Sequence, residues 1–494
     1  MPQPNIVMIM VDQMAHDVIG QLGHPTVLTP HLDRLAARGV AFVNTYCNSP
    51  ICVSSRTAFM TGTLVRHNGA YDNGSEFPAS LPTFVHQLNR AGYQTILSGK
   101  MHFVGPDQLH GFQERLTGDI SPTGFDLTPD WNRGPHANPG TSVNRLRYPA
   151  VRPWSLQMSY DDEVLHSALV RLRQLSADAE GAEGNVASPF FLCTSFSHPH
   201  DPFLVPQAYW DLYEDRPIWP PDAPAQGFQA MHPYNQWIQI HHEADRFPLS
   251  DAEVLQARRA YYAAVSYVDG LIGQLLGELE RLGMDNTLVV FTSDHGEMLG
   301  QHGMWFKRTF YDGATKVPLI VALPGPRSAA RRTEVVSLVD LTATLLDYAG
   351  VQARPAHGLP TAGHSLRPLL EDRAVSWPER AVSEYFSEGT IEPMLMLRTA
   401  RHKFVYVHHH VPLLFDLLDD PLEQRNLTGL PEAAELCRSL QAELLGDLDV
   451  DLLRRRILDS QQQRLLVVAG SPASPGWCHP VTRDASRLYR RASS

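Results

Sequence analysis

The chain has 494 residues, of which 43% are hydrophobic, and 41 lysines and arginines stand against 53 aspartates and glutamates, giving a net charge of −12. This composition excludes a disordered or fibrous protein, and the acidic balance argues against a nucleic-acid binder, whose phosphate contacts need excess basic residues. Five cysteines are too few for a disulfide framework. No apolar stretch approaches the roughly 20 residues of a membrane helix, and the N-terminus lacks a signal-peptide pattern, so we expect a cytoplasmic protein without a membrane partner.

Short apolar runs alternate with helical patterns over about the first 350 residues. Buried strands are predicted at Ile6–Val11, Gln94–Ser98, Pro189–Ser195, Thr287–Thr292 and Val317–Ala322. Thr29-Pro30 opens one helix between the first two strands. Ser250 and Glu253 form a capping box for a longer helix that continues to Leu282. Strands separated by helices predict an α/β fold with a large mixed, mostly parallel sheet flanked by helices.

The pattern changes near residue 380. Four short, closely spaced strands predict a small antiparallel sheet: Glu384–Phe386, Met394–Arg398, Lys403–His408 and Leu414–Leu417. A helical segment, about 431–465, and a Pro/Gly/Ser-rich tail follow. We therefore divide the chain into a large first domain, 1–375, and a C-terminal subdomain with a small sheet, a helix and a tail, 376–494. Two stretches rich in proline and histidine, 121–153 and 204–248, are predicted to be long loops, which are usually functional in a compact domain.

Polar residues follow four of the predicted strands directly. They are Asp12-Gln13, Gly99-Lys100-Met101-His102, His198-Pro199-His200-Asp201-Pro202 and Ser293-Asp294-His295-Gly296. Ligands of open α/β sheets bind at the carboxyl ends of the strands. Asp12, Asp294 and His295 could bind a divalent cation there, and the lysines and other histidines would balance an anionic substrate. Any one of these residues could be an ordinary loop residue, but four such strand endings favour a site.

The segment from Ser49 to Gly62 carries the pattern Cys52-Val53-Ser54-Ser55-Arg56, followed by a helix that ends in Thr61-Gly62. It resembles the signature of the sulfatases, a branch of the alkaline-phosphatase-like superfamily: Cys, any residue, Pro or Ala, any residue, Arg. Cys52 and Arg56 match the pattern, whereas Ser54 stands in place of Pro or Ala. In that family the cysteine is oxidised to formylglycine, an aldehyde that hydrates to a gem-diol. The alternative interpretation of Cys52 is a small buried thiol.

The resemblance covers nearly the whole chain and is greatest to the choline sulfatases. It includes Val11–Met14, Thr29–Asp33, Ser98–His102, Val104–Gly111, Ser197–Pro202, Ser293–Gly300, Trp305–Lys307, Leu414–Leu417 and the tail segment Asp484–Ser486 with Tyr489. It implies an alkaline-phosphatase-like fold in which the first domain is catalytic. It also implies a partner, the formylglycine-generating enzyme or an equivalent maturation enzyme.

The resemblance assigns roles by position. Metal ligands are implied at Asp12, Gln13, Asp294 and His295, with modified Cys52 completing the set; the expected ion is Ca²⁺, with Mg²⁺ or Mn²⁺ as alternatives. Arg56 would hold the formylglycine hydrate, and a cationic ring would bind the sulfate: Lys100, His102, His200 and Lys307. Asn73 matches a polar contact of the related phosphonate hydrolases. Trp131 and Asp484 are candidates for contacting the alcohol part of the substrate, Asp484 from a tail that could reach a neighbouring subunit, so a dimer or tetramer is expected.

These residue types suit a sulfate monoester, whose sulfur is shielded by negative oxygens that positive groups must neutralise. The resemblance implies attack on sulfur by one hydroxyl of the gem-diol, protonation of the leaving alcohol by His200 or Lys307, and deprotonation of the second hydroxyl with help from His102. The predicted substrate is choline sulfate or another small alkyl or aryl sulfate. Leu127 stands where choline sulfatases have tryptophan, so sulfate-ester hydrolysis is better supported than choline specificity.

Two alternatives remain open from the sequence. A phosphonate monoester or phosphodiester hydrolase of the same superfamily shares most of the site, but typically has Tyr and Thr in place of Lys100 and His102. An unmodified, inactive protein that binds sulfate esters is the second alternative, and Ser54 motivates it.

Overall fold

A computed structural model of the chain describes residues 3–121, 124–135, 141–148, 150–181, 188–325, 328–351 and 362–471. The strands of its large sheet are β1 Asn5–Val11, β2 Val40–Tyr46, β3 Gln94–Gly99, β4 Glu114–Thr117, β5 Phe190–Ser195, β6 Thr287–Ser293, β7 Lys316–Ala322 and β8 Ala330–Ser337. They lie in the order β4-β3-β5-β1-β6-β7-β2-β8. The neighbours from β4 to β6 are parallel, and β7 runs antiparallel to both β6 and β2. The prediction of a large mixed, mostly parallel sheet is confirmed.

Helices flank the large sheet on both faces. The α-helices of this part of the chain are α1 Pro30–Ala36, α2 Cys52–Thr61, α3 Val65–Asn68, α4 Phe84–Arg90, α5 Leu156–Glu180, α6 Gln207–Asp211, α7 Pro233–His241, α8 Asp251–Arg281, α9 Asp312–Thr315, α10 Leu338–Tyr348 and α11 Arg367–Leu370. The predicted capping box of Ser250 and Glu253 begins α8. None of the described helices is both long and apolar enough to span a bilayer.

The central strand β1 shows why its sequence is a continuous apolar run. Side chains alternate between the two faces of a strand. Val7, Ile9 and Val11 pack with residues of α1, α5 and α8, whereas Ile6, Met8 and Met10 pack with residues of α2, α4 and α10. Because helices cover both faces, neither set of alternating positions is polar.

A second sheet lies in the C-terminal part of the chain. Its strands are β9 Arg380–Tyr385, β10 Met394–Thr399, β11 His402–Val407 and β12 Leu413–Asp416, each antiparallel to its neighbours in the order β12-β11-β10-β9. The prediction of a small antiparallel sheet is therefore confirmed. The helical segment that follows forms two helices, α12 Ala434–Leu445 and α13 Val450–Gly470. They are separated at Gly446, which has a φ of 51°, and Asp449 caps the second helix through a 2.8 Å bond from the Leu452 amide.

The prediction that 204–248 is one long loop is only partly correct. It contains α6 and the nine-residue helix α7. Pro233 is the first residue of α7, where its missing amide costs nothing, and the His232 side chain accepts a hydrogen bond from the Tyr234 amide. Proline and histidine, interpreted as loop residues, here begin a helix.

Candidate active site

Four adjacent parallel strands bring the predicted polar residues to one edge of the large sheet. β3, β5, β1 and β6 are neighbours in that order. Asp12 and Gln13 follow β1, Lys100 and His102 follow β3, His200 lies beyond β5, and Asp294 and His295 follow β6. Their common edge is the position at which open α/β sheets bind ligands.

Cys52 is the first residue of α2 and meets the residues that follow β6. Its Sγ lies 3.2 Å from His295 Nε2 and accepts a hydrogen bond from Lys307 Nζ at 3.3 Å. Ser55 of the same helix donates to the Asp294 carbonyl at 2.6 Å, which fixes the helix against the strand end. Ser54 is directed elsewhere, since its Oγ donates to the Ala70 carbonyl at 2.7 Å. The first turn of α2 thus holds Cys52 at the sheet edge, where helix amides favour an anion.

Four buried side chains form a candidate metal site, with ligand atoms that all lie within 4.8 Å of one another: Asp12, Cys52, Asp294 and His295. Asp12 Oδ1 is buried and has no hydrogen-bond partner among the described residues. His295 Nδ1 lies 3.1 Å from the Gly296 carbonyl, which favours a proton on Nδ1 and leaves Nε2 as a donor to a metal. Burial lowers the pKa of His295 to about 4, so its ring is neutral. This set of oxygen and imidazole donors fits a divalent cation.

Arg56 joins the two carboxylates of this cluster. Its Nε donates to Asp294 Oδ2 at 2.8 Å, and its Nη2 lies 3.3 Å from Asp12 Oδ2. Its Nη1 donates to the Lys100 carbonyl at 2.5 Å and to Ser195 Oγ at 3.0 Å. Burial alone would lower the pKa of Arg56, but Asp294 and Asp12 hold it above its ordinary value. Arg56 therefore orients the candidate metal ligands, a task that the sequence pattern did not indicate.

Lys100 and Lys307 bring further positive charge to the cluster. Lys100 Nζ lies 2.6 Å from Asp12 Oδ2. Lys307 Nζ donates to Gln13 Oε1 at 2.6 Å, in addition to Cys52 Sγ. Burial would raise the pKa of Asp12, but Lys100 and the other nearby cations hold it well below its usual range. The carboxylate of Asp12 is therefore ionised and ready to bind a cation.

The two predicted histidines differ in their environments. Burial and the charge of Lys100 hold the pKa of His102 well below its usual value, and its Nδ1 has no partner in the part of the chain that is described. A neutral His102 can accept a proton. His200 is partly exposed, and its Nδ1 lies 2.7 Å from the Asp201 carbonyl. His198, by contrast, is buried against Asp161 Oδ2 at 2.7 Å and supports the loop.

The structure describes two of the three residues predicted to contact the substrate, Asn73 and Trp131. Asn73 lies beside the nucleophile position, since its Oδ1 accepts a hydrogen bond from the Val53 amide at 3.1 Å. Trp131 is only 4% exposed, and its indole donates to the Ser387 carbonyl at 3.0 Å within a hydrophobic cluster. Trp131 therefore packs in this cluster, and its contact with the substrate stays a prediction. Asp484 lies outside the described residues.

Two buried acids at the site, Glu297 and Glu388, were not predicted from the sequence. Glu297 accepts hydrogen bonds from Gln13 Nε2 at 2.5 Å and from the Phe306 amide at 2.6 Å, and burial raises its pKa to about 7. Its position, two residues after His295, could have indicated it. Glu388 accepts hydrogen bonds from Arg308 Nε at 3.2 Å and Nη2 at 2.7 Å. No local pattern indicated this pair.

Comparison with known proteins agrees with this geometry. The sulfatase family model matches residues 4–351, and a model described as N-sulphoglucosamine sulphohydrolase, C-terminal, matches residues 300–449. The chain belongs to the sulfatase family. This sulfatase is 37% identical to a choline-sulfatase of Rhizobium meliloti over 502 aligned residues, which cover 99% of this chain and 96% of that protein.

A second relative of the sulfatase is an arylsulfatase of Clostridium perfringens, 28% identical over 484 residues that cover 90% of this chain and 95% of the relative. A solved structure, the phosphonate monoester hydrolase of Silicibacter pomeroyi, aligns with a TM-score of 0.70 and 24% identity, covering 89% and 94% of the two chains. This likeness confirms the alkaline-phosphatase-like fold. The family and the relatives together identify the protein as a sulfuric ester hydrolase, as the resemblance of its motifs predicted.

Proposed function

We propose that this sulfatase hydrolyses a small sulfate monoester to an alcohol and inorganic sulfate, using one divalent metal ion and a formylglycine derived from Cys52. The observation that supports this most is the contact of Cys52 Sγ with both His295 Nε2 and Lys307 Nζ, at 3.2 and 3.3 Å. A nucleophile made from this side chain would stand between a candidate metal ligand and a cation. Those are the two kinds of group that attack on a negatively charged sulfate requires.

The candidate metal site supports the metal part of the proposal. The ligand oxygens would come from Asp12, Asp294 and Gln13, with His295 and the modified Cys52 completing the set. Because oxygen donors predominate, Ca²⁺ is the ion that we propose. When bound, the ion would withdraw charge from the sulfate and lower the pKa of a hydroxyl of the formylglycine hydrate.

The cations around Cys52 support binding and release of the sulfate ester. Lys100 and Lys307 would neutralise the sulfate oxygens, while Arg56 holds Asp12 and Asp294 in place. Lys307 or His200 would donate a proton to the departing alcohol oxygen. Neutral His102, whose Nδ1 has no partner among the described residues, would accept the proton that must leave before sulfate is released.

Mass analysis of the peptide that contains Cys52 tests the proposal directly. The protein would be produced in a host with the maturation enzyme, and its turnover of an aryl sulfate measured on the same sample. We expect an aldehyde in place of the thiol, and activity proportional to the converted fraction. Cys52→Ala should abolish turnover, whereas Cys437→Ser, at a partly exposed thiol of α12, should not. A thiol in every molecule, with binding but no turnover, would support the inactive binding protein instead.

A phosphonate monoester hydrolase is the second candidate, and the position of Asn73 against the Val53 amide is the observation that favours it. Lys100 and His102 favour a sulfate ester instead. The two activities are separated by comparing kcat/KM for an aryl sulfate and a phenyl phosphonate ester. Faster turnover of the phosphonate would reverse our order of preference. Choline sulfate is the first alkyl sulfate to test, because it is the substrate that the name of the Rhizobium meliloti relative indicates.

A further inference from the structure

Arg308 is a buried cation beside the nucleophile position that the proposed reaction does not use. It follows Lys307, whose Nζ contacts Cys52, and it is 6% exposed. Its own amide donates to the Pro50 carbonyl at 3.2 Å, two residues before Cys52. The chain therefore delivers two successive cationic residues to the neighbourhood of Cys52.

The backbone around Arg308 is held in an unfavourable conformation. Phe306 and Arg308 have φ angles of 64° and 77°, a region that bulky side chains rarely adopt. The Glu297 carboxylate holds the Phe306 amide at 2.6 Å, which helps to fix this conformation. Such strain is typical of segments that position functional side chains.

The guanidinium of Arg308 is only partly satisfied. Its Nε and Nη2 both donate to Glu388 Oε1, but its Nη1 is buried and has no hydrogen-bond partner among the residues that the structure describes. A buried charged donor without a partner is costly, which points to an acceptor supplied by a ligand.

Asn73 connects this ion pair to the nucleophile position. Its Nδ2 lies 3.5 Å from Glu388 Oε1, the oxygen that Arg308 binds, and its Oδ1 accepts from the amide of Val53, next to Cys52. Glu388 and Asn73 thus connect Arg308 to the turn that holds Cys52.

We propose that Arg308 Nη1 binds a negatively charged group on the alcohol part of the substrate, so that the preferred substrates are sulfate esters of alcohols that carry a carboxylate or a second sulfate. This inference rests on the proposed sulfatase function. Glu388 alone would attract a cationic alcohol, but Arg308 cancels its charge.

The test uses three phenyl sulfates that carry a meta carboxylate, an uncharged carboxamide or a trimethylammonium group. The measured quantity is the ratio of kcat/KM for the carboxylate ester to that for the carboxamide ester, on enzyme with formylglycine verified by mass. Comparing this ratio between variants cancels the intrinsic reactivity of the esters. We expect Arg308→Gln to lower the ratio about tenfold or more, the value of one hydrogen bond between charged groups.

Arg308→Gln leaves Glu388 buried without its partner, so this variant could fold poorly. Two further variants test the role of Arg308 in that case. The double variant R308Q/E388Q removes both charges and should lower the ratio as the single variant does. Glu388→Gln should raise this ratio of kcat/KM values, since the Arg308 guanidinium then lacks its partner within the protein. As a matched control, R66Q/E384Q removes another buried Arg–Glu pair and should leave the ratio at the wild-type value.

The outcomes separate the inference from the function on which it rests. Turnover of all three esters with the same ratio in wild type, Arg308→Gln and the double variant would overturn the role of Arg308 alone. Preference for the trimethylammonium ester in the wild type would also overturn it, in favour of a cationic alcohol. If wild-type enzyme with verified formylglycine hydrolyses none of the esters, the proposed function itself fails.

Discussion

Asp72 and Arg464 are joined by two parallel hydrogen bonds, from Nη1 to Oδ1 at 2.6 Å and from Nη2 to Oδ2 at 2.7 Å, although 392 positions separate them in the chain. Both side chains are buried, and Nη1 also donates to Thr128 Oγ1 at 2.9 Å. The pair fastens α13 to the loop that carries Asn73. Since Asn73 holds the amide of Val53, the last described helix helps to position the turn that contains Cys52.

Replacing Arg464 should therefore affect both stability and substrate binding. Arg464→Gln leaves the Asp72 carboxylate buried without its partner, so we expect the free energy of unfolding to fall by about 3–5 kcal/mol. The KM for an aryl sulfate should rise, because the loop that carries Asn73 is released. Urea unfolding and steady-state kinetics measure the two effects. The double variant D72N/R464Q should recover part of the stability; a single variant as stable as wild type would contradict this account.

The sequence predicts the helices and strands of this molecule better than it predicts the side-chain pairs that join distant segments. The apolar run of β1 and the capping box at Ser250 are local signals, and both predictions are confirmed. The gathering of Asp12 and His295 at one edge also follows, because parallel strands end together. The partners of Arg464 and Arg308 could not be predicted, since each pair joins segments whose approach depends on the whole fold.

Trp131 illustrates a different limit. An aromatic residue in a loop can bind substrate or fill a packing gap, and its local sequence is the same in either case. Only the positions of Ser387 and of the surrounding cluster decide that its ring is covered. Burial is a property of the folded chain, which no local pattern records.

Removing the metal should destabilise the enzyme as well as inactivate it. A ligand that binds only the folded state at 100 to 1,000 times its Kd contributes roughly 3–4 kcal/mol. We therefore expect a chelator to lower the unfolding midpoint and to abolish turnover, and Ca²⁺ to restore both. Asp12→Asn should be inactive, and its midpoint should not respond to the chelator. Asp340→Asn, a change at a buried acid that caps α10, should keep the response to chelator. Activity that survives complete removal of metal would contradict the proposed site.

The residue that protonates the leaving alcohol can be identified from the way the rate of each variant depends on the pKa of the leaving group. Loss of a general acid costs about 10²–10⁴ in rate for a poor leaving group and little for a good one. We expect His200→Ala to depend more steeply on leaving-group pKa than Lys307→Ala, because in-line attack puts the leaving oxygen opposite the nucleophile, and Lys307 contacts the nucleophile position at Cys52. A series of substituted phenyl sulfates measures both slopes. The reverse order of slopes would assign the acid to Lys307, and equal slopes in both variants and wild type would exclude either residue.

Asp269 lies outside the active site, and its titration should make the stability of the fold depend on pH. It lies in α8 and accepts hydrogen bonds from the amides of His31 and Leu32 at 3.1 and 2.8 Å, in the first turn of α1. Burial raises its pKa to about 7, against 3.8 as the ordinary value, with the two amides opposing the shift. As pH rises from about 4 to 7, the unfolded chain loses this proton before the folded chain does, so unfolding becomes more favourable.

The sign of this effect can be tested with Asp269→Asn, whose amide does not titrate. Relative to this variant, the wild type should lose about 3 kcal/mol of unfolding free energy between pH 4 and pH 7, with little further change above pH 7. Urea unfolding at several pH values measures the difference. Glu280→Gln removes an exposed acid from the same helix and should run parallel to wild type. If the difference between wild type and Asp269→Asn is constant over this range, Asp269 is ionised in the folded protein throughout, and the two amides of α1 outweigh the cost of its burial.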